Sequence, residues 1–204
     1  MDRATLEYYN RNAAEAAAKY RSIDLNRWRQ QFQEAFPAGS RVLDVGTGSG
    51  RDLALLLRMA CDAYGLEPTE GMRTEATRAF PELAGRIFPF ALPVPEDADT
   101  GGAFDGILCS AVLMHVPEAE LSEAALSLKR LLRPNGRLLI YVPASKLGLG
   151  AEDRDQTGRL FRVLHAENLV QLFERLGFQL LRKWEEPDRL GRPGITWNGF
   201  LFEL

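Results

Sequence analysis

The stretch from Arg41 to Met59 constrains the fold more than any other part of the chain. Arg41-Val42-Leu43-Asp44-Val45 is an apolar run of strand length, Gly46-Thr47-Gly48-Ser49-Gly50 sets three glycines at alternate positions, and a leucine-rich helix runs from Asp52 to Met59. Strand, glycine loop and helix in that order open an α/β sheet. Glycine tolerates the left-handed backbone of a sharp turn and lets a ligand's polar tail approach bare amides. The helix N-terminus beyond it favours a carboxylate or phosphate.

The alternation continues downstream. Residues 62–67 read as a strand, 72–80 as a helix closed by Pro81, 86–90 as a third strand and 104–110 as a fourth. After Pro117 a helix carries Leu121, Ala125, Leu128 and Leu132 on one face and ends at the turn Arg133-Pro134-Asn135-Gly136. A fifth strand spans 137–143, a helix spans 166–176 with Gly177 as its terminator, and 178–184 and 196–204 are closing strands. Nearly continuous apolar strands separated by helices imply a parallel sheet covered on both faces. The last two strands are joined by only about ten residues, too few for a parallel crossover, so they form an antiparallel hairpin.

Upstream, Leu6, Tyr9, Ala13, Ala16, Ala17 and Tyr20 lie at helical spacing over residues 3–20. Leu25, Trp28, Phe32 and Phe36 mark a second helix stopped by Pro37. These helices are expected to form a cap, residues 1–37, on a core of residues 38–204. At 204 residues, one domain is the economical arrangement.

Composition narrows the partners. With 25 basic against 28 acidic residues the net charge is −3, which offers no polybasic footprint for nucleic acid or an anionic membrane. Cys61 and Cys109 sit among apolar neighbours without metal-ligand spacing, so buried free thiols are expected and no metal site. No apolar stretch is long enough for a signal peptide or membrane span, which places the expected location in the cytoplasm. A monomer or homodimer acting on a small molecule is the simplest reading.

The loop has GxGxG spacing, with Arg51 where the third glycine of the dinucleotide fingerprint GxGxxG would fall, so an NAD(P)-dependent reductase is the minor alternative. Glu67 closes the second strand 23 residues after Asp44. There a carboxylate accepts hydrogen bonds from both hydroxyls of a ribose.

Asp44 to Gly50, Glu67-Pro68 and Phe104 to Pro117 together resemble the successive motifs of class I S-adenosylmethionine (SAM)-dependent methyltransferases, over roughly residues 40–143. The resemblance implies a Rossmann-like, doubly wound, seven-stranded α/β sheet whose last strand is antiparallel, in accord with the terminal hairpin. It implies that Asp44 and the glycines Gly46, Gly48 and Gly50 line the methionine moiety, with Thr47 and Asp52 beside them. Glu67 would hold the ribose, Pro68 and Met72 would flank adenine, and Ser110 and Ala111 would face the sulfonium. Many members place an acid near the adenine amine after the third strand; here Ala91 and Leu92 leave backbone and apolar contacts. A tyrosine of the N-terminal helix often closes over the cofactor, and Tyr8, Tyr9 and Tyr20 are candidates, with Tyr9 and Tyr20 assigned to the site.

Methyl transfer from a sulfonium is an in-line displacement whose leaving thioether needs no proton, so alignment in a dry pocket is the main task. If the acceptor is a hydroxyl or protonated amine, His115 is the candidate base, although a histidine just before Pro117 can also simply position its loop. Residues 144–165 and the hairpin turn 185–194 leave the carboxyl ends of strands and are substrate-loop candidates. They carry Arg154, Arg159, Arg162, Arg189 and Arg192 with Glu152, Asp153, Asp155 and Asp188, a set able to recognise a polar or ionised acceptor, or to be a solvated charged loop. Ser110-Ala111-Val112-Leu113 stands where amino-methylating nucleic-acid enzymes carry an Asn-Pro-Pro-Tyr-like segment. That favours an oxygen or nitrogen of a small molecule over a nucleic acid or protein. A module that binds SAM or its product S-adenosylhomocysteine (SAH) without turnover is the alternative of another class.

Overall fold

The computed structural model describes residues 1–24 and 26–204, and the side chains of these except 26–28. Leu25 and the side chain of Trp28 lie outside the described residues.

Seven strands form one sheet in the order β3-β2-β1-β4-β5-β7-β6. They are β1 (Arg41–Val45), β2 (Asp62–Leu66), β3 (Ile87–Phe88), β4 (Phe104–Ser110), β5 (Leu132–Lys146), β6 (Gln179–Pro187) and β7 (Ile195–Glu203). β1 pairs in parallel with β2 and β4, and β4 with β5. β7 is antiparallel to both its neighbours, with Leu139 opposite Leu201 and Trp184 opposite Gly199. The expected doubly wound, seven-stranded, Rossmann-like sheet with an antiparallel last strand is the fold observed.

The period-two rule explains both cores. Ile107, Cys109, Leu138, Ile140, Val142, Phe200 and Phe202 face one side, where α6 (Leu121–Leu131) brings Ala125 and Leu128 and α7 (Ala166–Arg175) brings Leu169 and Phe173. Val42, Leu108, Leu139, Tyr141 and Leu201 face the other, where α3 (Asn26–Ala35) and α4 (Arg51–Arg58) supply Phe32, Leu53 and Leu56, and Phe36 follows the end of α3. Phe173 packs edge-on to Phe178 at 5.4 Å and tilted against Phe202 at 5.2 Å. Each such fully buried ring contributes about 2 kcal/mol through removal of apolar surface from water.

Four expectations are corrected. The single helix over 3–20 is two, α1 (Arg3–Arg11) and α2 (Ala13–Arg21), because Asn12 leaves helical geometry at φ −110°, ψ 23° and donates its side-chain amide to the Tyr8 carbonyl. The helix bearing Phe32 and Phe36 belongs to the sheet-covering core and not to a cap: a Cβ on Gly106 would sit 2.4 Å from the Phe36 ring. The third strand shrinks to two residues, since Pro89, directly after it, has no amide hydrogen to donate to a ladder. β5 begins at Leu132, and the expected turn survives inside it as a register shift with Asn135 at φ 62°.

α1 and α2 lie against α5 (Glu70–Ala79). Ala13, Ala16 and Ala17 pack on Met72 of α5, and Asp2 caps α1 by accepting from the Thr5 amide at 2.8 Å. That carboxylate also takes both guanidinium arms of Arg154, at 3.2 and 3.0 Å, while Leu160 donates its amide to Thr5 Oγ1. The N-terminal helices are thereby sewn to the segment that follows β5.

Candidate functional site

One cavity of about 180 Å3 opens where the carboxyl ends of β1, β2, β4 and β5 meet α1 and α2. This is where ligands bind in open α/β sheets.

The loop after β1 is a compact turn with little free backbone. Gly46 and Thr47 donate their amides to the Leu66 carbonyl at 2.8 and 2.9 Å, Gly48 donates to Glu67 Oε2 at 3.0 Å, and Gly50 donates to the Thr47 carbonyl. Four of the five amides expected to be bare in this loop are used within the protein. Glycine is needed for the path and the fit instead: Gly46 has φ 71°, and a Cβ there would lie 2.4 Å from Val112 Cγ2. Gly50 does the same against Leu83 and Ala76, and does not line the cavity.

Glu67 is the best-anchored carboxylate. Besides Gly48, its oxygens accept from the Thr69 amide at 2.9 Å and Thr69 Oγ1 at 2.6 Å, and its side chain faces the cavity. Burial raises its pKa, opposed by these hydrogen bonds. Asp44 lies under the loop, 3% exposed, with Oδ2 buried and lacking a hydrogen-bond partner. Burial and then the Asp52 carboxylate push its pKa well above the usual range. An unpartnered buried carboxylate oxygen calls for a cation or a donor from a ligand. Asp52 in turn is forked by Arg51, at 2.8 and 2.9 Å, whose third nitrogen holds the Tyr20 carbonyl at 2.9 Å. Asp52 in the first turn of α4, with Asp44 at the end of β1 beneath the loop, makes this helix end unfavourable for a pyrophosphate.

Pro68, Met72, Thr47, Ser110 and Ala111 line the same cavity. Ala111 has φ 59° and donates its amide to the Tyr141 carbonyl, a left-handed alanine at the turn leaving β4. Ala91 and Leu92 do not line the cavity, and Leu92 is 1% exposed in the apolar core with its carbonyl taking the N-terminal amine. That pair is thus set apart from the other assigned residues, because the irregular chain after β3 turns Leu92 inward.

At the mouth, Tyr9 meets Tyr20 hydroxyl to hydroxyl at 3.1 Å and His115 Nε2 at 3.4 Å, and it accepts from Arg159 Nη1 at 2.9 Å. Arg159 lies over the Tyr8 and Tyr9 rings and is gripped by Asp155 at 2.6 Å. His115 is 4% exposed, and its Nδ1 lies 2.5 Å from the Leu160 carbonyl, which only a protonated Nδ1 can satisfy. Nε2 is then the lone-pair nitrogen. Burial lowers its pKa to about 4, so the ring is neutral at physiological pH.

Both anticipated loops reach the cavity, with Arg159 and Phe161 from one and Asp188, Arg189, Leu190 and Arg192 from the other. Arg154 and Arg162 do not: they bind Asp2 and Glu118. Sequence reasoning missed Thr5, Arg51, Tyr141 and Trp197, and reached Phe161 and Glu186 only as members of those loops. Only Tyr141 and Trp197 carried a usable signal, as aromatic residues at strand ends facing that rim. Among the described residues no group of three potential ligands could hold a metal ion, and no helix is long and apolar enough to cross a membrane.

A family model described as a methyltransferase domain matches residues 14–183. The chain is 30% identical over 137 residues to an uncharacterised methyltransferase of Geobacillus kaustophilus, covering 65% of this chain and 60% of that protein. It is 33% identical over 142 residues to a tRNA (carboxymethyluridine(34)-5-O)-methyltransferase of Macaca fascicularis, covering 67% of this chain but 20% of that protein. The chain therefore spans well under two thirds of either relative. Its fold is similar to that of the 1,6-didemethyltoxoflavin-N1-methyltransferase of Burkholderia thailandensis, solved with 1,6-didemethyltoxoflavin and SAH bound. There the TM-score is 0.79 at 19% identity, over 98% of this chain and 87% of that one.

Proposed function

The chain belongs to the methyltransferase-domain family, and from that premise we propose that it transfers the methyl group of SAM to an oxygen or nitrogen of a small molecule. The observation that carries this reading is the pairing of Glu67, fixed by three donors and facing the cavity, with the buried, unpartnered Oδ2 of Asp44 below the glycine loop. A ribose diol suits the first, and the second, beneath the glycine loop rather than in the cavity lining, supplies an acceptor toward which the ammonium of an amino acid would point. Pro68 and Met72 offer apolar surface to adenine, while Ser110 and Ala111 stand at the sulfonium end. When bound, SAM supplies an electrophilic methyl group on a sulfur that departs as a neutral thioether.

The remaining work falls to this chain's residues. Tyr9, Tyr20 and Arg159 exclude water over the mouth. His115, its Nδ1 proton held by the Leu160 carbonyl, presents Nε2 to take the acceptor's proton. The acceptor's freed electron pair forms the bond to carbon as the carbon–sulfur bond breaks, its pair staying on sulfur.

A pyrophosphate would meet Asp52 in the first turn of α4, which disfavours the nicotinamide reading. The tRNA-modifying relative keeps a nucleic-acid acceptor in view, and the net charge of −3 argues against it. The clasp over the mouth favours one second reading, a module that holds SAM without turnover. Calorimetric titration with SAH, and with NADH in parallel, tests the proposal: SAH should bind, Glu67→Ala should abolish binding, and NADH should be ignored. A folded protein indifferent to SAH would refute it. Release of SAH from SAM upon addition of an acceptor separates enzyme from module.

A further inference from the structure

The part of the cavity bounded by β5, β7 and the turn after β6 is walled by rings and contains self-neutralised charge. Phe161 and Tyr141 are 1% and 2% exposed, and the Trp197 indole and the His115 imidazole join them in the lining. Three guanidinium groups also reach it. Each is already matched by a carboxylate of its own segment: Arg159 by Asp155 at 2.6 Å, Arg189 by Glu186 at 2.7 Å, and Arg192 by Asp188 at 2.6 Å. The carboxylate partners are only 7%, 14% and 4% exposed. Drawing one of these arginines to an ionised acceptor would strand a buried carboxylate, which is costly. A flat, neutral acceptor makes no such demand and gains ring-on-ring contact. The arginines that seemed able to recognise an ionised acceptor are thus better read as the frame of a neutral chamber.

Asp188 organises that frame. It accepts from the Trp197 indole N–H at 2.9 Å, from both arms of Arg192 at 3.0 and 2.6 Å, and from the amides of Leu190 and Arg192. One carboxylate therefore closes the turn and fixes the plane of the indole on the neighbouring strand, where Trp197 pairs with Pro143 and Glu186. We propose that this chamber takes a flat, uncharged aromatic or heteroaromatic acceptor bearing a hydroxyl or ring N–H, and that Asp188 is the positioning residue that sets Trp197 as its wall. This rests on the methyl-transfer reading above.

The test uses the full chain saturated with SAH and three probes of one skeleton: 2-naphthol, 2-naphthoate and decahydro-2-naphthol, followed by tryptophan fluorescence and calorimetry. The expected result is that 2-naphthol binds at least tenfold tighter than either of the others. In Asp188→Asn its preference over the saturated alcohol should fall at least fivefold, with SAH affinity unchanged. Trp197→Phe should keep most of that preference and Trp197→Ala should lose it, which guards against a poorly folded Asp188 variant. Tighter binding of 2-naphthoate, equal binding of the saturated alcohol, or no binding of any probe to SAH-loaded protein would overturn the chamber assignment. Failure of SAH itself to bind would instead strike the underlying methyl-transfer reading, so the two failures are distinct.

Discussion

On the side of the cavity built from β1 and β2, position is set by backbone: Gly46 and Thr47 hang from the Leu66 carbonyl, and Gly48 and Thr69 hold Glu67. On the side built from α1, α2 and the segments after β5 and β6, position is set by side chains reaching across the sequence. Arg159 finds Tyr9 across 150 residues, and Arg154 finds Asp2 across 152. The first side is held by backbone amides and rests on the sheet. The second can part by breaking a few ion pairs and hydrogen bonds while the sheet stays intact. The contrast teaches a division between a half fixed by the sheet and a half held by long-range side-chain contacts, which suits the proposed split between cofactor and acceptor.

The contrast breaks most visibly at Gly46. Gly46→Ala forces a Cβ against Val112 in a left-handed backbone, and a loss of about 3 kcal/mol in denaturant unfolding, together with loss of SAH binding, is expected. The releasable half should yield first to acid. Because the folded pKa of His115 is about 4 against 6.5 for a free imidazole, the unfolded chain binds more protons between those values. Stability is therefore complete above pH 6.5 and declines as pH falls toward 4, by up to roughly 3 kcal/mol from this ring alone. Comparing wild type with His115→Asn at pH 7.5, 5.5 and 4.5 checks it: the variant should show a shallower decline. Amide exchange at residues 155–161 should quicken before exchange at 41–50.

Next in size, Glu67→Gln keeps the shape and removes the charge, and calorimetry should show SAH affinity reduced by about 2 kcal/mol, close to 30-fold. The smallest effect is expected from Tyr9→Phe, which deletes the hydroxyl shared by Arg159, Tyr20 and His115: under about 1 kcal/mol in stability and within about threefold in SAH affinity. A Tyr9→Phe loss as large as that of Glu67→Gln would erase the distinction between the two sides.

The same contrast governs what could be read in the sequence. Residues whose role follows from their own strand or loop were legible. The alternation of Leu138, Leu139, Ile140, Tyr141 and Val142 announces a strand buried on both faces, and Glu67 is marked by its distance from Asp44. A last connection of about ten residues is too short for a parallel crossover and so makes β7 antiparallel to β6. What failed to show depends on partners far away. Nothing near Arg159 says that it will cover Tyr9, and nothing near Asp188 says that it will hold an indole on the next strand. The amides of Gly46, Thr47 and Gly48 looked free because their acceptors, Leu66 at the end of β2 and Glu67 just beyond it, lie elsewhere in the sequence. Asn12 split a helix whose apolar spacing runs on unbroken, since periodicity reports the buried face and is blind to a polar side chain competing for a backbone carbonyl.

One feature of the sheet also bears on how the molecule comes into being. β7 lies between β5 and β6, and β6 pairs with no other strand. During synthesis the segment of β6 thus leaves the ribosome with no place in the sheet, and must wait for residues 195–203 to slide in beside β5. The glycine loop and Glu67 can be in place well before that moment. The wall carrying Asp188 and Trp197 cannot, so the side proposed to take the acceptor forms after the side proposed to hold the cofactor.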